Sequence, residues 1–349
     1  MKLFRYLAIT ALAGATQASP AKRAVDDATI LNYALTLEHL EAAFYATGLK
    51  NFTQVDFINA GYADPFYINL QRVASDEAEH VTFLSTALKS AGAPATAACA
   101  YAFPVTDVDS FIATANILEG VGVSAYLGAA ASIANKAYLT AAGSILTVEA
   151  RHSSYLRAIA GEVPFAQPFD DPLDLNEVYT LASSFIVSCP SSNPSLPVKA
   201  FPSLTVSSTG TLNAGSQVVL ATSSNAQAPS KVYAAFVTVT GPVFTTVTPS
   251  GGGYSVTIPS GVMGQSYIVL TSSNGTVSDE NIVAGPSVIE VGAKNGKPSP
   301  TITPSIPSST GVLPSKTSSI PQFTGAASAI GVSSGVMSAI AVAAAIIFA

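Results

Sequence analysis

Residues 65–91 read PFYINLQRVASDEAEHVTFLSTALKSA, and this stretch decides the fold. Its apolar residues recur every three to four positions, which is the spacing of one face of an α-helix. At about 100° per residue, six apolar side chains fall within about 60° of Glu77: Leu70, Val73, Ala74, Val81, Leu84 and Leu88. A carboxylate therefore lies in the middle of the apolar face of this helix, one turn before His80.

The chain contains a second motif of this kind. Two segments share the pattern Glu-x-x-His: Glu77-Ala-Glu-His80 and Glu149-Ala-Arg-His152. Residues three apart on a helix are neighbours, with about 5–6 Å between Cβ atoms, so a carboxylate and an imidazole can hold one metal ion together. Glu149 shares its face with apolar residues such as Ile145 and Leu156, so the second motif also points inward. Glu79 falls with polar residues instead, and we expect it to be solvated.

Two further helical segments each place one acid on an apolar stripe. These acids are Glu38 and Glu119, and each is followed seven positions later by a tyrosine, Tyr45 or Tyr126. The shared offset indicates that the first two long helices resemble the second two, as an internal duplication would produce.

The residues around Glu38 leave one choice open. Glu41 lies only about 60° from Glu38 on a helix and is an alternative ligand. The tyrosine offset and the parallel with Glu119 favour Glu38. His39 is turned about 100° away from Glu38, and we interpret it as a surface residue.

Four inward carboxylates need a compensating cation. Burying unpaired charges would cost many kcal/mol, whereas the whole stability of a domain is only about 5–15 kcal/mol. Two divalent ions would balance four Glu side chains, and two neutral His side chains would complete the ligand shell. One Glu from each of two helices, with Glu-x-x-His from each of two others, is the pattern of di-iron and di-manganese carboxylate proteins.

With these motifs, residues 28–190 resemble the ferritin-like superfamily, in particular the fungal and plant desiccation-related or stress-induced ferritin-like proteins. The resemblance implies two Fe or two Mn ions as cofactors, with Glu77 and Glu149 bridging them. The implied ligands are six residues: Glu38, Glu77, His80, Glu119, Glu149 and His152. It also implies oxidoreductase activity of the ferroxidase or catalase kind, on O₂, peroxide or ferrous iron, in a stress response. The competing hypothesis is a structural or adhesive surface protein whose bundle is inactive.

Helical periodicity and a later change of composition divide the chain. We predict a ferritin-like four-helix bundle with a fifth helix over residues 24–190, followed by a small β-sandwich over 200–291. The predicted helices span five segments: 28–49, 65–91, 107–134, 137–161 and 173–188. The clearest strand signals are four short β-branched runs: 218–220, 232–239, 254–258 and 267–270.

Both ends of the chain indicate processing. Residues 1–23 are typical of a signal peptide with a short propeptide that ends at Lys22-Arg23. Residues 292–325 form a predicted disordered stalk rich in Ser, Thr and Pro. Residues 326–349 resemble a signal for a glycosylphosphatidylinositol anchor, attached near Gly325, with a degenerate membrane helix as the alternative. We therefore expect an extracellular protein at the cell surface, on the plasma membrane or in the cell wall, which contacts membrane through its lipid anchor only.

The cysteines, the glycosylation sequons and the net charge agree with a secreted protein. Cys99 and Cys189 are the two cysteines, and in an oxidising compartment we predict that they form one disulfide, with two free structural thiols as the alternative. Asn51 and Asn274 begin N-glycosylation sequons. A net charge of -6 and a pI near 5.0 disfavour nucleic acid as a partner. The expected partners are metal ions and components of the cell wall or surface.

Overall fold

The computed structural model describes residues 25–207, 211–227 and 229–292. The predicted signal peptide, the anchor segment with Gly325 and the stalk beyond residue 292 lie outside these ranges. Within them, helices occupy the first part of the chain and strands the second, so the predicted fold class is confirmed.

Four long helices form the bundle. They are α1 (Asp27–Asn51), α3 (Phe66–Ser90), α4 (Val108–Ala129) and α5 (Lys136–Ile159). Side-chain caps define several of their first turns; the Asp26 carboxylate, for example, accepts a 2.8 Å hydrogen bond from the Thr29 backbone N–H. α1 packs along α3 and α4 packs along α5, which makes two helical pairs. One end of the bundle is closed by aromatic residues that include Phe44, Phe57 and Phe111.

Two short elements depart from the sequence prediction. A six-residue helix, α2 (Gln54–Asn59), lies in the loop after α1. The predicted fifth helix begins and ends inside its expected range, as α6 (Leu175–Ser183). The chain then becomes extended, and β2 (Ile186–Ser188) pairs with β1 (Ala100–Tyr101). The prediction of helix up to residue 188 was therefore wrong, because strand pairing with a distant segment leaves no mark in local periodicity.

The predicted disulfide is confirmed. Cys99 and Cys189 are bonded, and they flank the small β1–β2 sheet. Because the two cysteines are 90 residues apart, the bond ties the segment after α6 to the loop that follows α3.

The segment from Val108 to Ser132 is long and apolar enough to cross a membrane, since a stretch of 18 residues within it has a mean hydropathy of 1.2. Of these 18 residues, 61% are buried inside the protein. We interpret it as the central helix of the bundle, because the same helix presents Glu119 to the interior.

Seven antiparallel strands follow the helices. They are β3 (Leu204–Val206), β4 (Gln217–Thr222), β5 (Tyr233–Phe236), β6 (Val243–Ser250), β7 (Gly253–Thr257), β8 (Gly264–Thr271) and β9 (Ile282–Val291). Their order is β3-β4-β7-β6-β5-β8-β9. The first half of β6 pairs with β5 and its second half pairs with β7, so one strand belongs to both faces of a sandwich. Between the faces lies an apolar core that contains Leu220, Phe236 and Ile268.

The helices and strands pack into one compact unit. The Arg157 guanidinium on α5 donates two hydrogen bonds of 2.7 Å to the Glu290 carboxylate on β9. The Tyr267 hydroxyl on β8 donates to the Gly120 carbonyl at 3.0 Å and lies 2.8 Å from the Ser124 hydroxyl. A partly buried bidentate ion pair and a shared polar network hold β8 and β9 against the bundle.

Candidate metal centre

The six residues predicted from the sequence meet in the middle of the bundle. The side chains of Glu38 (α1), Glu77 (α3), Glu119 (α4) and Glu149 (α5) are 0% exposed. The two histidines, His80 and His152, are 8% and 7% exposed. Each helix supplies its residues from its inward stripe, as the helical spacing predicted. The exposed position of Glu79 also agrees with the prediction.

These side chains form two overlapping groups of ligand atoms. The first contains Glu38, Glu77, His80 and Glu149, and the second contains Glu77, Glu119, Glu149 and His152. Within each group, one ligand atom from every residue lies within 4.8 Å of the others. Glu77 and Glu149 belong to both groups. This is the placement expected of bridging carboxylates between two metal ions.

Each imidazole directs its Nδ1 atom at carboxylate oxygens. His80 Nδ1 lies 3.1 Å from Glu38 Oε2, 3.2 Å from Glu77 Oε2 and 3.2 Å from Glu149 Oε1. His152 Nδ1 lies 3.0 Å from Glu77 Oε1. A nitrogen that faces several carboxylates at once occupies the position of a ligand that shares a cation with them.

His152 makes further contacts, to Glu119 and on its other side. Its Nδ1 lies 3.2 Å from Glu119 Oε2, and its Nε2 lies 3.2 Å from the Asp76 carboxylate. A hydrogen bond to the second ring nitrogen fixes the orientation of a metal-binding imidazole. Asp76 was not predicted to belong to the site, although it lies directly before Glu77 in the motif.

The two tyrosines connect the two halves of the bundle crosswise. The Tyr45 hydroxyl on α1 donates a hydrogen bond to Glu119 on α4, and the Tyr126 hydroxyl on α4 donates to Glu38 on α1. Both rings are buried. The equal offset of each tyrosine from the acid on its own helix is the sequence signal for this arrangement, but the sequence did not show that each hydroxyl reaches the acid of the other half.

A fifth carboxylate belongs to the same interior. The sequence left Glu41 as an alternative to Glu38, but both are buried, at 4% and 0% exposure. Gly122 on α4 makes room for this extra acid. A Cβ atom at Gly122 would lie 2.8 Å from Glu149 Oε2 and 3.1 Å from Glu41 Oε1. Because Gly122 has no side chain, the carboxylates of Glu41 and Glu149 both fit against α4 at this position.

Several ligand atoms have lone pairs without hydrogen bonds. Among the described residues, the buried atoms without a hydrogen-bond partner include Glu77 Oε1 and both carboxylate oxygens of Glu149. Glu77 Oε1 and Glu149 Oε1 do lie close to histidine nitrogens, but without hydrogen-bond geometry. Since buried polar atoms are nearly always paired, unpaired oxygens on the two shared carboxylates fit metal ligation.

The pKa values of the clustered side chains also indicate that the cluster favours bound positive charge. Burial raises the pKa of Glu38 to about 7 and raises the pKa of Glu149 well above its usual value. For Glu77, burial is outweighed by the close His152 and His80 imidazoles, which lower its pKa to about 2. Burial lowers the histidine pKa values, but the surrounding carboxylates prevail and raise them to about 12 for His80 and about 11 for His152. The cluster therefore retains protons at positions where cations would be stabilised.

Among the residues that the structure describes, no Lys or Arg forms an ion pair with the six side chains of the cluster. Within the described residues, the ion pairs of the six side chains are all between its own acids and histidines, apart from the contact of His152 with Asp76. The buried Arg157 pairs with Glu290 and Glu162 instead. Five buried acids with two imidazoles are a donor set rich in oxygen, which suits Fe or Mn better than Cu or a thiolate-bound Zn.

His39 lies outside the cluster, as predicted. Its Nε2 atom is 3.0 Å from the Thr96 carbonyl oxygen, so it contacts the loop that follows α3. The side chain is half-buried, and burial lowers its pKa. The side chain of His39 is therefore turned away from the cluster, but it is only partly exposed because the loop covers this side of α1.

Comparison with known proteins agrees with this geometry. The Ferritin-like domain family matches residues 26–162, which include all four bundle helices and all six predicted ligands. These residues form a ferritin-like domain. The resemblance to the ferritin-like superfamily inferred from the sequence is thus confirmed, and the buried cluster of this ferritin-like domain is compatible with a site for two metal ions.

One curated protein is a distant relative of this chain. The chain is 28% identical over 174 residues to Protein rds1 of Schizosaccharomyces pombe (strain 972 / ATCC 24843). The match covers 50% of this chain and 42% of the relative. The chain therefore spans less than half the length of this curated relative.

Proposed function

We propose that the ferritin-like domain binds two Fe or two Mn ions and acts as an oxidoreductase on O₂ or peroxide. The observation that supports this proposal most strongly is the pair of overlapping ligand groups that share Glu77 and Glu149. Bound Fe or Mn would supply reversible one-electron redox chemistry, which the side chains of this chain lack.

Each residue then has a defined part. Glu38 and His80 would hold one ion, Glu119 and His152 the other, and the two shared carboxylates would lie between them. Tyr45 and Tyr126 donate hydrogen bonds that orient the terminal acids. The bundle packs around the ligands and excludes bulk water, which strengthens every electrostatic contact in the site.

Loss of a histidine tests this function directly. The mature protein, loaded with Fe or Mn, is expected to consume O₂ or peroxide, and His80→Ala or His152→Ala should reduce the rate by about 100-fold or more. His39→Ala is the matched control, because this histidine contacts Thr96 rather than the cluster. A loaded wild-type protein that reacts no faster than the two variants would show that the proposal is wrong.

We also propose that the protein is secreted and tethered to the cell surface through a glycosylphosphatidylinositol anchor near Gly325. The Cys99–Cys189 disulfide supports an oxidising compartment, since such bonds are rare in reducing ones. Asn51 and Asn274 are both exposed, as glycan acceptors must be. Phospholipase specific for such anchors should release the protein from membranes. Full retention after digestion, with peptides from 336–349 still present, would contradict the anchor.

A further inference from the structure

A cavity of about 250 Å³ lies between the bundle and the β-sandwich. Residues of α1, α4 and α6 line three of its sides, and residues of β9 close another. Its walls are mainly apolar and include six such side chains: Leu40, Leu118, Val121, Leu181, Phe185 and Val288. Its polar lining consists of two serines and one acid: Ser184, Ser287 and Glu41.

The inner end of the cavity adjoins the metal centre. Glu41 and Gly122 both line it. Glu41 is thus the acid of the buried cluster that the cavity reaches directly. Glu149 lies behind the cavity wall, with its Oε2 atom packed against Gly122, 2.8 Å from the position of a Cβ there.

The contact of the cavity with the cluster follows from a difference between the two halves of the bundle. Glu41 is three residues after Glu38 on α1, and Gly122 is three residues after Glu119 on α4. At equivalent positions, one half thus supplies a carboxylate and the other half has no side chain, which leaves room for that carboxylate. The acid that lines the cavity, Glu41, therefore comes from one half of the bundle only.

We propose that the cavity binds a small, uncharged, apolar organic molecule as the substrate of the oxidoreductase, next to the metal ions. The inference rests on the function proposed above. An apolar cavity of roughly 150 Å³ is enough to take up benzene, and this one is larger. Aliphatic walls with few placed polar groups are typical of a site for an apolar ligand. An ion entering by this route would lose its hydration without replacement, which disfavours ferrous iron as the substrate.

This assignment gives the β-sandwich a role. Ser287 and Val288 on β9 form part of the cavity wall. β9 is held in place by the bidentate pair between Arg157 and Glu290, two residues after Val288. The size of the molecule that fits is therefore set partly by a strand outside the ferritin-like domain.

Fluorobenzene is a suitable probe, because its fluorine NMR signal reports both binding and distance to a paramagnetic ion. The mature protein should bind about one molecule per chain, with or without metal. Val288→Phe should weaken binding by about tenfold or more, since the larger ring occupies the cavity. Val239→Phe is the matched control, because Val239 is 46% exposed and is not part of the cavity lining. Ser287→Leu, a smaller addition to the same wall, tests the claim if Val288→Phe does not fold.

The metal separates this inference from the proposed function. In protein loaded with Mn, the bound probe should show a broadened fluorine signal compared with metal-free protein, because the cavity adjoins the centre at Glu41. A protein that holds two metal ions but does not bind the probe, or binds it without extra broadening, would overturn this inference alone. A protein that binds the probe but takes up no metal would overturn the proposed function and with it the assignment of the molecule as substrate.

Discussion

The two helical pairs of the bundle, α1 with α3 and α4 with α5, match at every proposed metal ligand. Each pair supplies one terminal acid, one Glu-x-x-His motif and one tyrosine, and each tyrosine reaches the acid of the other pair. The agreement supports the proposal that these positions hold two metal ions. In that proposal, residues at equivalent positions in the two halves would perform the same task.

The differences between the halves indicate where chemistry and access are controlled. Glu41 in the first half corresponds to Gly122 in the second, and Glu41 is the acid of the cluster that lines the cavity. Asp76 before the first motif corresponds to Val148 before the second, so the carboxylate that contacts His152 Nε2 has no counterpart in sequence for His80. A symmetric ligand set therefore lies in an asymmetric surrounding.

The largest effect is expected at the two shared carboxylates. Glu77→Gln and Glu149→Gln each remove a charge that belongs to both ligand groups. Each should lower the bound metal to well below one ion per chain, measured by elemental analysis, with helical content in circular dichroism largely unchanged. Glu79→Gln, on the exposed face of the same helix, is the control and should leave the metal content unchanged. If one of the two variants kept both ions, its carboxylate would not be a bridge.

A smaller and equal effect is expected at the tyrosines. Tyr45→Phe and Tyr126→Phe each remove a hydrogen bond to a terminal acid without opening a cavity. Loss of such a contact typically reduces metal affinity by about 10–100-fold. Competition titrations with a chelator should give similar losses for both variants. Clearly unequal losses would show that the crosswise arrangement is not symmetric in energy.

Asp76→Asn tests the difference between the halves. The asparagine keeps the shape but loses the charge that contacts His152 Nε2, so the affinity of the ion held by His152 should fall by about tenfold. The ion held by His80 should be unaffected. Val148→Ala is the matched change in the second half and should alter neither affinity. Equal weakening of both ions by Asp76→Asn would contradict a role specific to His152.

The smallest effect is a pH dependence of the metal-free protein. Burial of His80 lowers its pKa, but the contacts with carboxylates prevail and raise it to about 12. Burial raises the pKa of Glu38 to about 7. The folded chain therefore binds more protons than the unfolded chain, in which His titrates near 6.5. Stability must then fall as the pH rises above that value. Thermal unfolding should show a lower midpoint at about pH 9 than at about pH 6, and less of this loss when metal replaces the protons.

The sequence predicted the bundle and its six inward residues because both depend on local spacing. A turn of helix fixes which side chains share a face, so Glu77 with His80 and Glu149 with His152 could be read from their own segments. The exposed position of Glu79 followed from the same rule.

The sequence could not predict features that depend on contacts between distant segments. Helical spacing placed Glu38 and Glu41 on one face but could not show that both are buried, because the space for Glu41 comes from Gly122 on another helix. One contact that docks the β-sandwich on the bundle is the pair between Arg157 and Glu290. Neither residue had a local signal that indicated a partner.

The central claim is that the two halves share two metal ions, and elemental analysis of the purified mature protein tests it most directly. Protein expressed or refolded with ample Fe and Mn should contain about two ions of Fe or Mn per chain. Retention of less than about half an ion per chain under the same conditions would contradict the account and favour a structural role for the bundle.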